Sequence, residues 1–285
     1  MKYEKMILSN TRIDRHKERM SLAALESIAN DINKKYIPIT VEHDPRIPPI
    51  GRIFSAKVKK LEDGEFALEG EAELFEESDE IPPINSFREL SLWTCKENKL
   101  KIIYDRSFRD VESQKLINEI GAIFGSAPEQ EVKKAVEPLS TLIIGGSFIL
   151  GSLAAGFFNK IGADIFNIMK QKLKELLRNK KSDSEENIFI LRLCLNEEIN
   201  VEIILTNPTD SDIEILFDNG IQKFEKRLQE IYDKKVGLRK IIFEYKNEEF
   251  KILYGLRKDC IPLSYYEKAE LKLPKGVSIK CNMNP

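Results

Sequence analysis

The feature that most constrains this chain is a run of 22 residues without a charged side chain, from Pro138 to Asn159, in a sequence that is 32% charged. A helix of that length spans about 30 Å, which matches the hydrocarbon core of a bilayer. Two interpretations follow: a membrane-spanning helix, or a central helix buried inside a soluble oligomer. Length favours the first, and we predict a transmembrane helix in this run.

Small residues recur in this run at a spacing of four. Ser147, Gly151 and Ala155 would share one face of the helix. Small side chains let helices approach closely inside a membrane. We therefore predict that these three residues pack against copies of themselves. Because a single helix cannot line a pore, a channel function would require a homo-oligomer.

The segment after the run is basic and has helical apolar spacing. Between residues 160 and 181 it carries seven lysines and arginines against two acids. We predict an amphipathic helix on the membrane surface, with Lys170, Lys172 and Lys174 near lipid phosphates. The positive-inside rule places this side in the cytoplasm. The N-terminus is too polar for a signal peptide, so the N-terminal domain is also expected there. The run is then a simple span with one domain outside, a re-entrant segment, or a segment inserted only on activation.

The rest of the chain predicts an α+β fold. Residues 1–110 read as a β-rich domain with a turn at Asp63–Gly64, and residues 111–137 as a helical neck. The membrane helix and the amphipathic helix occupy residues 138–181. Residues 188–285 predict a small α/β domain in the order ββαββ, whose helix is capped by Thr209 or Asp210.

Composition and motifs exclude several classes of function and several kinds of site. A net charge of −2 excludes a protein that binds nucleic acid over its whole surface by charge alone. The four cysteines form no CxxC pair, which indicates reduced thiols rather than a zinc site. The sequence has no P-loop, GxGxxG or HExxH motif. We expect no cofactor and no metal.

Two short motifs suggest a serine peptidase. "TVEHDPRIPPIGRI" and "RELSLWTC" resemble the bacteriophage prohead protease family over roughly residues 5–110. The resemblance implies a herpesvirus-protease-like β-barrel with His43 as general base and Ser91 as nucleophile. It departs where the family has a glycine after the serine motif, since Trp93 and Thr94 stand there. The third triad member would be Asp105 or Asp110. The alternatives are a non-catalytic relative, or a turn histidine and a strand serine without a shared role.

A second candidate site is a stacking platform. Tyr104, Arg106 and Phe108 alternate in "YDRSFRD", and Trp93 precedes them on the neighbouring predicted strand. Aromatic and arginine side chains on a sheet can stack the bases of a single strand. Phosphate contacts would come from Arg46, Arg52, Arg88 and Arg109. The alternative places Tyr104 and Phe108 in the core and pairs Arg106 with a carboxylate.

The overall layout resembles the transmembrane effectors of bacterial anti-phage systems, among them the Hailong membrane effector. That resemblance implies an inner-membrane tetramer acting in abortive infection. It also implies control by a nucleotide or single-stranded DNA ligand made by a partner nucleotidyltransferase. The leading hypothesis is thus an oligomeric effector that disrupts the membrane or forms a channel in it. The rivals are a membrane-anchored serine peptidase related to prohead proteases and a tethered interaction protein, so enzymatic activity is left open.

Overall fold

The structure, a computed structural model, describes residues 2–13, 17, 19–75, 88–93, 100–131, 139–149, 152–153, 162–180, 186–196, 198–232, 237–265 and 271–272. The chain divides into two compact units. Unit 1 contains residues 1–91 and 254–285, and unit 2 contains residues 92–253. This division replaces the predicted succession of four segments.

Unit 1 is built on a four-stranded antiparallel sheet in the order β1-β4-β3-β2. Its strands are β1 (Lys2–Asn10), β2 (Ile37–Ile39), β3 (Gly51–Lys60) and β4 (Phe66–Leu74). Helix α1 (Leu22–Ile32) begins at Ser21, whose side chain accepts a hydrogen bond from the Ala24 N–H. The helix and the sheet share a small core of Leu25, Ala29, Ile32, Ile53, Ala56 and Leu68. The predicted turn at Asp63–Gly64 does join β3 to β4.

The later part of the chain returns to unit 1. Strand β12 (Pro262–Tyr265) pairs with the end of β11 (Glu249–Arg257), and β13 (Leu271–Lys272) pairs with β12. Residues 257–261 form the β11–β12 turn. It is closed by the Cys260 N–H donating to the Arg257 carbonyl and the Arg257 N–H donating to the Ile261 carbonyl.

Unit 2 holds a sheet in the order β11-β10-β9-β8-β7-β5-β6. Its further strands are β5 (Lys101–Tyr104), β6 (Glu129–Gln130), β7 (Leu139–Phe148), β8 (Glu186–Leu195), β9 (Ile199–Thr206) and β10 (Leu238–Lys246). Its helices are α2 (Val111–Phe124), α3 (Ala163–Asn179), α4 (Asp210–Ile215) and α5 (Ile221–Tyr232), with a π-helical turn at Leu216–Gly220. Alternate residues of the strands form one core with the helices, so the helical layer covers one face of the sheet.

The uncharged run was wrongly predicted to be a transmembrane helix. Residues 139–148 of the run form β7, a central strand paired in parallel with β8 along its whole length and antiparallel with β5. Nine of the ten residues of β7 are buried, so both faces of the strand are covered, and it needs apolar or small residues at consecutive positions rather than at alternate ones. That requirement explains the lack of charge over residues 139–148. Among the described residues, no helix is long and apolar enough to cross a membrane.

The small residues of the run serve close packing within the sheet. A Cβ on Gly145 would lie 2.9 Å from Trp93 Cη2, and one on Gly146 would lie 2.7 Å from Leu100 Cδ2. Ser147, predicted to pack helix against helix, lies in β7 opposite Cys194. Gly151 and Ala155 lie outside the described residues. The predictions of an inner-membrane location, a transmembrane protein and an ion channel depended on this span. They are wrong for the same reason.

The amphipathic helix was correctly predicted, but its environment was not. Lys170, Lys172 and Lys174 of α3 bond to acids of the neighbouring helices rather than facing lipid. Lys170 Nζ contacts Asp218 and Glu214, Lys174 Nζ contacts Glu214, and Lys172 Nζ contacts Glu119. The basic stripe therefore joins α3 to α2 and α4.

The ββαββ order after residue 186 is present, and Thr209 caps α4 with Asp212 in a reciprocal capping box. These elements are not a separate domain, because β8 pairs with β7 and extends a sheet that begins before residue 110. The predicted neck contains α2, which ends at Phe124 and is followed by Gly125 with a φ of 63°.

Candidate functional site

His43 lies in a strained turn of unit 1. The Asp44 N–H donates to the Val41 carbonyl over 2.9 Å, which closes a four-residue turn. The two central residues, Glu42 and His43, have φ values of 49° and 53°. This sign pattern belongs to a type I′ turn, which favours glycine and asparagine. Left-handed backbone costs other residues about 1–2 kcal/mol each. The His43 side chain is exposed.

The residues that follow His43 hold this turn in place. Asp44 accepts hydrogen bonds from the Arg46 backbone N–H, at 2.8 Å, and from Arg46 Nε, at 2.9 Å. Burial by itself would raise the pKa of Asp44, but the bonds and charge of Arg46 lower it below its ordinary value. The Tyr254 hydroxyl donates to the Pro45 carbonyl over 2.9 Å. The turn is thereby fastened to the end of β11.

Ser91 lies on a short extended segment, residues 89–91, which we call the Ser91 segment. Leu90 forms a parallel bridge with Tyr36. The Tyr36 N–H donates to the Glu89 carbonyl and the Ser91 N–H donates to the Tyr36 carbonyl, each over 3.0 Å. The Leu90 N–H donates in the other direction, to the Lys258 carbonyl. The Ser91 side chain is partly exposed. Among the described residues, no hydrogen bond holds its Oγ.

The two motif segments meet a common support. The Ser91 segment bonds to Lys258 in the β11–β12 turn, and the loop after His43 bonds to Tyr254 at the end of β11. Arg52, from the same "PIGR" motif, donates to the Asp259 carbonyl over 2.5 Å. The Ser91 segment and Arg52 are therefore both bonded to the β11–β12 turn, and the loop after His43 is bonded to Tyr254 within β11. A serine and a histidine on segments bonded to one stretch of chain, residues 254–259, offer the two residue types of a nucleophile and its base.

The predicted third members of a triad have structural tasks in unit 2. Asp105 caps the short 3₁₀ helix Arg106–Phe108 through the Ser107 N–H, over 2.9 Å, and also accepts from the Thr141 N–H. Asp110 caps α2 through the Ser113 N–H and pairs with Lys180 at 2.6 Å. The Lys180 ammonium and the Ser113 N–H lower the pKa of Asp110. Both carboxylates are occupied by these contacts.

The stacking platform was predicted on a strand that is too short for it. Strand β5 ends at Tyr104, and the 3₁₀ helix turns the next residues away from strand alternation. Phe108 is 0% exposed and belongs to the core of unit 2, so it is not available to a ligand. The Tyr104 hydroxyl lies 3.3 Å from Gln114 Oε1. Arg106 lies in the 3₁₀ helix and is half-buried.

Three of the four predicted phosphate-binding arginines, all in unit 1, bond to protein partners. Arg46 pairs with Asp44, Arg52 with Glu73, and Arg88 donates to the Phe54 carbonyl. Arg109 belongs to unit 2. The guanidinium groups of the three arginines of unit 1 thus have protein partners, and the shared phosphate site stays a prediction.

Sequence reasoning missed a buried charge cluster in unit 2. Glu202 accepts from Arg192 Nε at 2.7 Å and pairs with Lys240 Nζ at 3.1 Å. Trp93 lies over the Arg192 guanidinium, 5.7 Å from ring centroid to Cζ. Burial alone would raise the pKa of Glu202, but Lys240 and Arg192 lower it to about 2. The available signal was a single charge inside each of the apolar strands "IFILRLCL" and "INVEIILT".

The comparisons with known proteins return no relative. No protein-family model, curated protein or solved structure matches the chain significantly. Within the described part of the chain, no cluster of three or more histidine, cysteine or acidic side chains is arranged to hold a metal ion.

Proposed function

We propose that unit 1 is a serine hydrolase module that cleaves peptide bonds, with Ser91 as nucleophile and His43 as general base. The observation that carries this proposal is the fastening of both motif segments to the single stretch 254–259. Residues nearly 50 positions apart in sequence are thereby held by one support. The peptide substrate class rests on the resemblance of the two motifs to prohead proteases.

Two features of the local structure support these roles. Residues other than glycine are strained when their backbone is left-handed. They keep this conformation only where the surrounding structure enforces it, and they cluster at functional sites. The turn at Glu42 and His43 has this character. The Ser91 backbone, in contrast, is held on both sides while its hydroxyl is partly exposed. A fixed backbone with an available hydroxyl suits a nucleophile.

The proposed reaction has two steps. In the first, Ser91 Oγ attacks the scissile carbonyl carbon while His43 takes the hydroxyl proton. The tetrahedral intermediate collapses to an acyl-serine, and His43 returns the proton to the leaving amine. In the second, water attacks the acyl-serine with His43 again as base. The products are a free carboxylate and a free amine, and Ser91 regains its proton.

The proposal is tested by labelling with a rhodamine fluorophosphonate, which reacts with activated serines. We expect labelling of the wild-type protein and its loss in Ser91→Ala. Ser55→Ala, at a half-buried serine in β3 of the same unit, is the matched control and keeps the label. Labelling of Ser91→Ala at the wild-type level would contradict the assignment.

The base is tested by His43→Asn. Asparagine tolerates positive φ, so this change removes the imidazole without adding backbone strain. We expect the labelling rate to fall by about 100-fold or more. Glu42→Asn changes the neighbouring left-handed residue of the same turn and is expected to label at the wild-type rate. Equal rates in both variants would remove His43 from the mechanism.

Further predictions rest on the resemblance of the overall layout to anti-phage effectors. The structure of one chain does not test them. Oligomer formation, including a tetramer, a nucleotide or single-stranded DNA ligand, and a partner nucleotidyltransferase stay predictions. Sedimentation of the purified protein and a binding titration with single-stranded DNA would decide them.

A further inference from the structure

Arg52 joins three segments of unit 1 that are far apart in sequence. Its Nε donates to Glu73 Oε2 over 2.7 Å, and its Nη1 donates to the Asp259 carbonyl over 2.5 Å. Its guanidinium carbon lies 4.2 Å from the centroid of the Tyr36 ring. The Arg52 and Glu73 side chains are only 12% and 7% exposed, so solvent and salt screen the pair weakly.

Tyr36 lies on one side of the Ser91 segment. Its backbone exchanges hydrogen bonds with Glu89 and Ser91, so the position of Tyr36 sets the position of the Ser91 amide. The Tyr36 residue is buried, and the guanidinium covers one face of its ring. A cation over a buried aromatic ring holds that ring more strongly than one at an exposed site. Arg52 therefore fixes the first neighbour of Ser91.

The β11–β12 turn lies on the other side of the Ser91 segment. The Lys258 carbonyl accepts from the Leu90 N–H, and the adjacent Asp259 carbonyl accepts from Arg52. The turn is stiffened internally by the buried ion pair of Arg257 with Asp259, in which Arg257 Nε lies 2.9 Å from Asp259 Oδ1. Arg52 thus fixes the second neighbour of the Ser91 segment as well.

These contacts require an arginine. A guanidinium is planar and presents donors in several directions while its face stacks on a ring. A lysine ammonium at this position keeps the charge opposite Glu73. It loses the stacking on Tyr36 and the second donor to Asp259.

We propose that Arg52 is the positioning residue for Ser91, a role that rests on the proposed hydrolase function. Among the described residues, the hydrogen bonds of the Arg52 guanidinium go to Glu73 and Asp259, not to the nucleophile or its base. It holds the Ser91 segment between its two neighbours so that the hydroxyl keeps its place relative to the scissile carbonyl. Misplacement of a reacting group by about 1 Å can cost roughly 100-fold in rate.

The test measures the rate of fluorophosphonate labelling of Ser91 at increasing probe concentration and across pH. We expect Arg52→Lys to lower the limiting rate by about 10- to 100-fold. The half-saturating probe concentration and the pH midpoint stay near their wild-type values, because probe binding and His43 are untouched. Arg12→Lys, at the exposed pair of Arg12 with Asp63 in the same unit, is the control and behaves as wild type. Tyr36→Leu, which removes the ring and keeps the backbone, is expected to act like Arg52→Lys.

A second readout separates this inference from the proposed function. Hydrogen–deuterium exchange of a peptide containing Leu90 and Ser91 reports their backbone bonds without any catalysis. We expect faster exchange in Arg52→Lys and unchanged exchange in Arg12→Lys. Wild-type exchange and a wild-type limiting rate in Arg52→Lys would overturn the positioning role. A shift of the pH midpoint in place of the limiting rate would also overturn it. If the wild type does not label at Ser91, the hydrolase proposal fails, and unchanged exchange alone then overturns the positioning role.

Discussion

Arg192 and Glu202 face each other across β8 and β9, with Arg192 Nε 2.7 Å from Glu202 Oε1. Glu202 is 2% exposed, and its second oxygen is bound by Lys240. Removing the charge of Glu202 leaves two largely buried cations without their partner. We expect Glu202→Gln to lower the free energy of unfolding by about 3–5 kcal/mol, measured by urea denaturation. Glu230→Gln, at an exposed pair on α5, is the control and changes it little. A small effect at Glu202 would show that the cluster is not a stabilising contact.

The same carboxylate predicts a dependence of stability on pH. The folded pKa of Glu202 is about 2, below the ordinary value of 4.5. Stability from this group is therefore complete above about pH 4.5 and is lost as the pH falls toward 2. The ionised Glu202 carboxylate contributes about 3 kcal/mol to the free energy of unfolding in total. Urea unfolding from pH 6 to 3 should show a steeper loss in the wild type than in Glu202→Gln. Parallel curves would contradict the assigned pKa.

Lys170 should matter more for stability than its neighbours on α3. Its side chain is 5% exposed and pairs with Glu214 at 3.0 Å and with Asp218. Burial alone would lower the pKa of Lys170, but these two acids raise it above its ordinary value. We expect Lys170→Met to cost about 2–3 kcal/mol in urea unfolding. Lys172→Met, at a more exposed pair, is the matched control and should have a small effect. Equally small effects of Lys170→Met and Lys172→Met would indicate that the lysines of α3 lie on a solvated face.

Gly146 tests the strand assignment of the uncharged run. A Cβ there would lie 2.7 Å from Leu100 Cδ2 and 3.1 Å from Phe148 Cε2, so alanine must displace packed side chains. We expect Gly146→Ala to destabilise the protein by about 1–3 kcal/mol, measured by thermal or urea unfolding. In a helix the same change would stabilise by roughly 1 kcal/mol, because alanine is the better helix former. The sign of the effect therefore separates the two structures.

The uncharged run shows what sequence can and cannot provide. The uncharged run of residues 138–159 is long enough for a membrane span. An uncharged apolar stretch is also typical of a buried central strand. The strand partners of β7 are β5 and β8, which lie elsewhere in the sequence. The residues of the run alone do not show that these strands pair with it. Helix α4, in contrast, was predictable because Thr209 and Asp212 form its cap within four residues.

The candidate site divides in the same way. His43 and Ser91 were found from short motifs, since each motif is local. The support at Tyr254 and Asp259 lies more than 160 residues further along the chain, so only the fold connects it to Ser91 and Arg52. The pairing of Arg192 with Glu202 likewise depends on strand register, although the two strands themselves were predicted.

The central claim is that Ser91 is a nucleophile, and covalent adduct mapping tests it most directly. The wild-type chain is treated with a fluorophosphonate, its intact mass is measured, and the modified residue is located by peptide mass spectrometry. We predict one phosphonyl group per chain, located on Ser91, with a large loss of the adduct in His43→Asn. An unmodified chain, or an adduct distributed over other serines and unaffected by His43→Asn, would contradict the account.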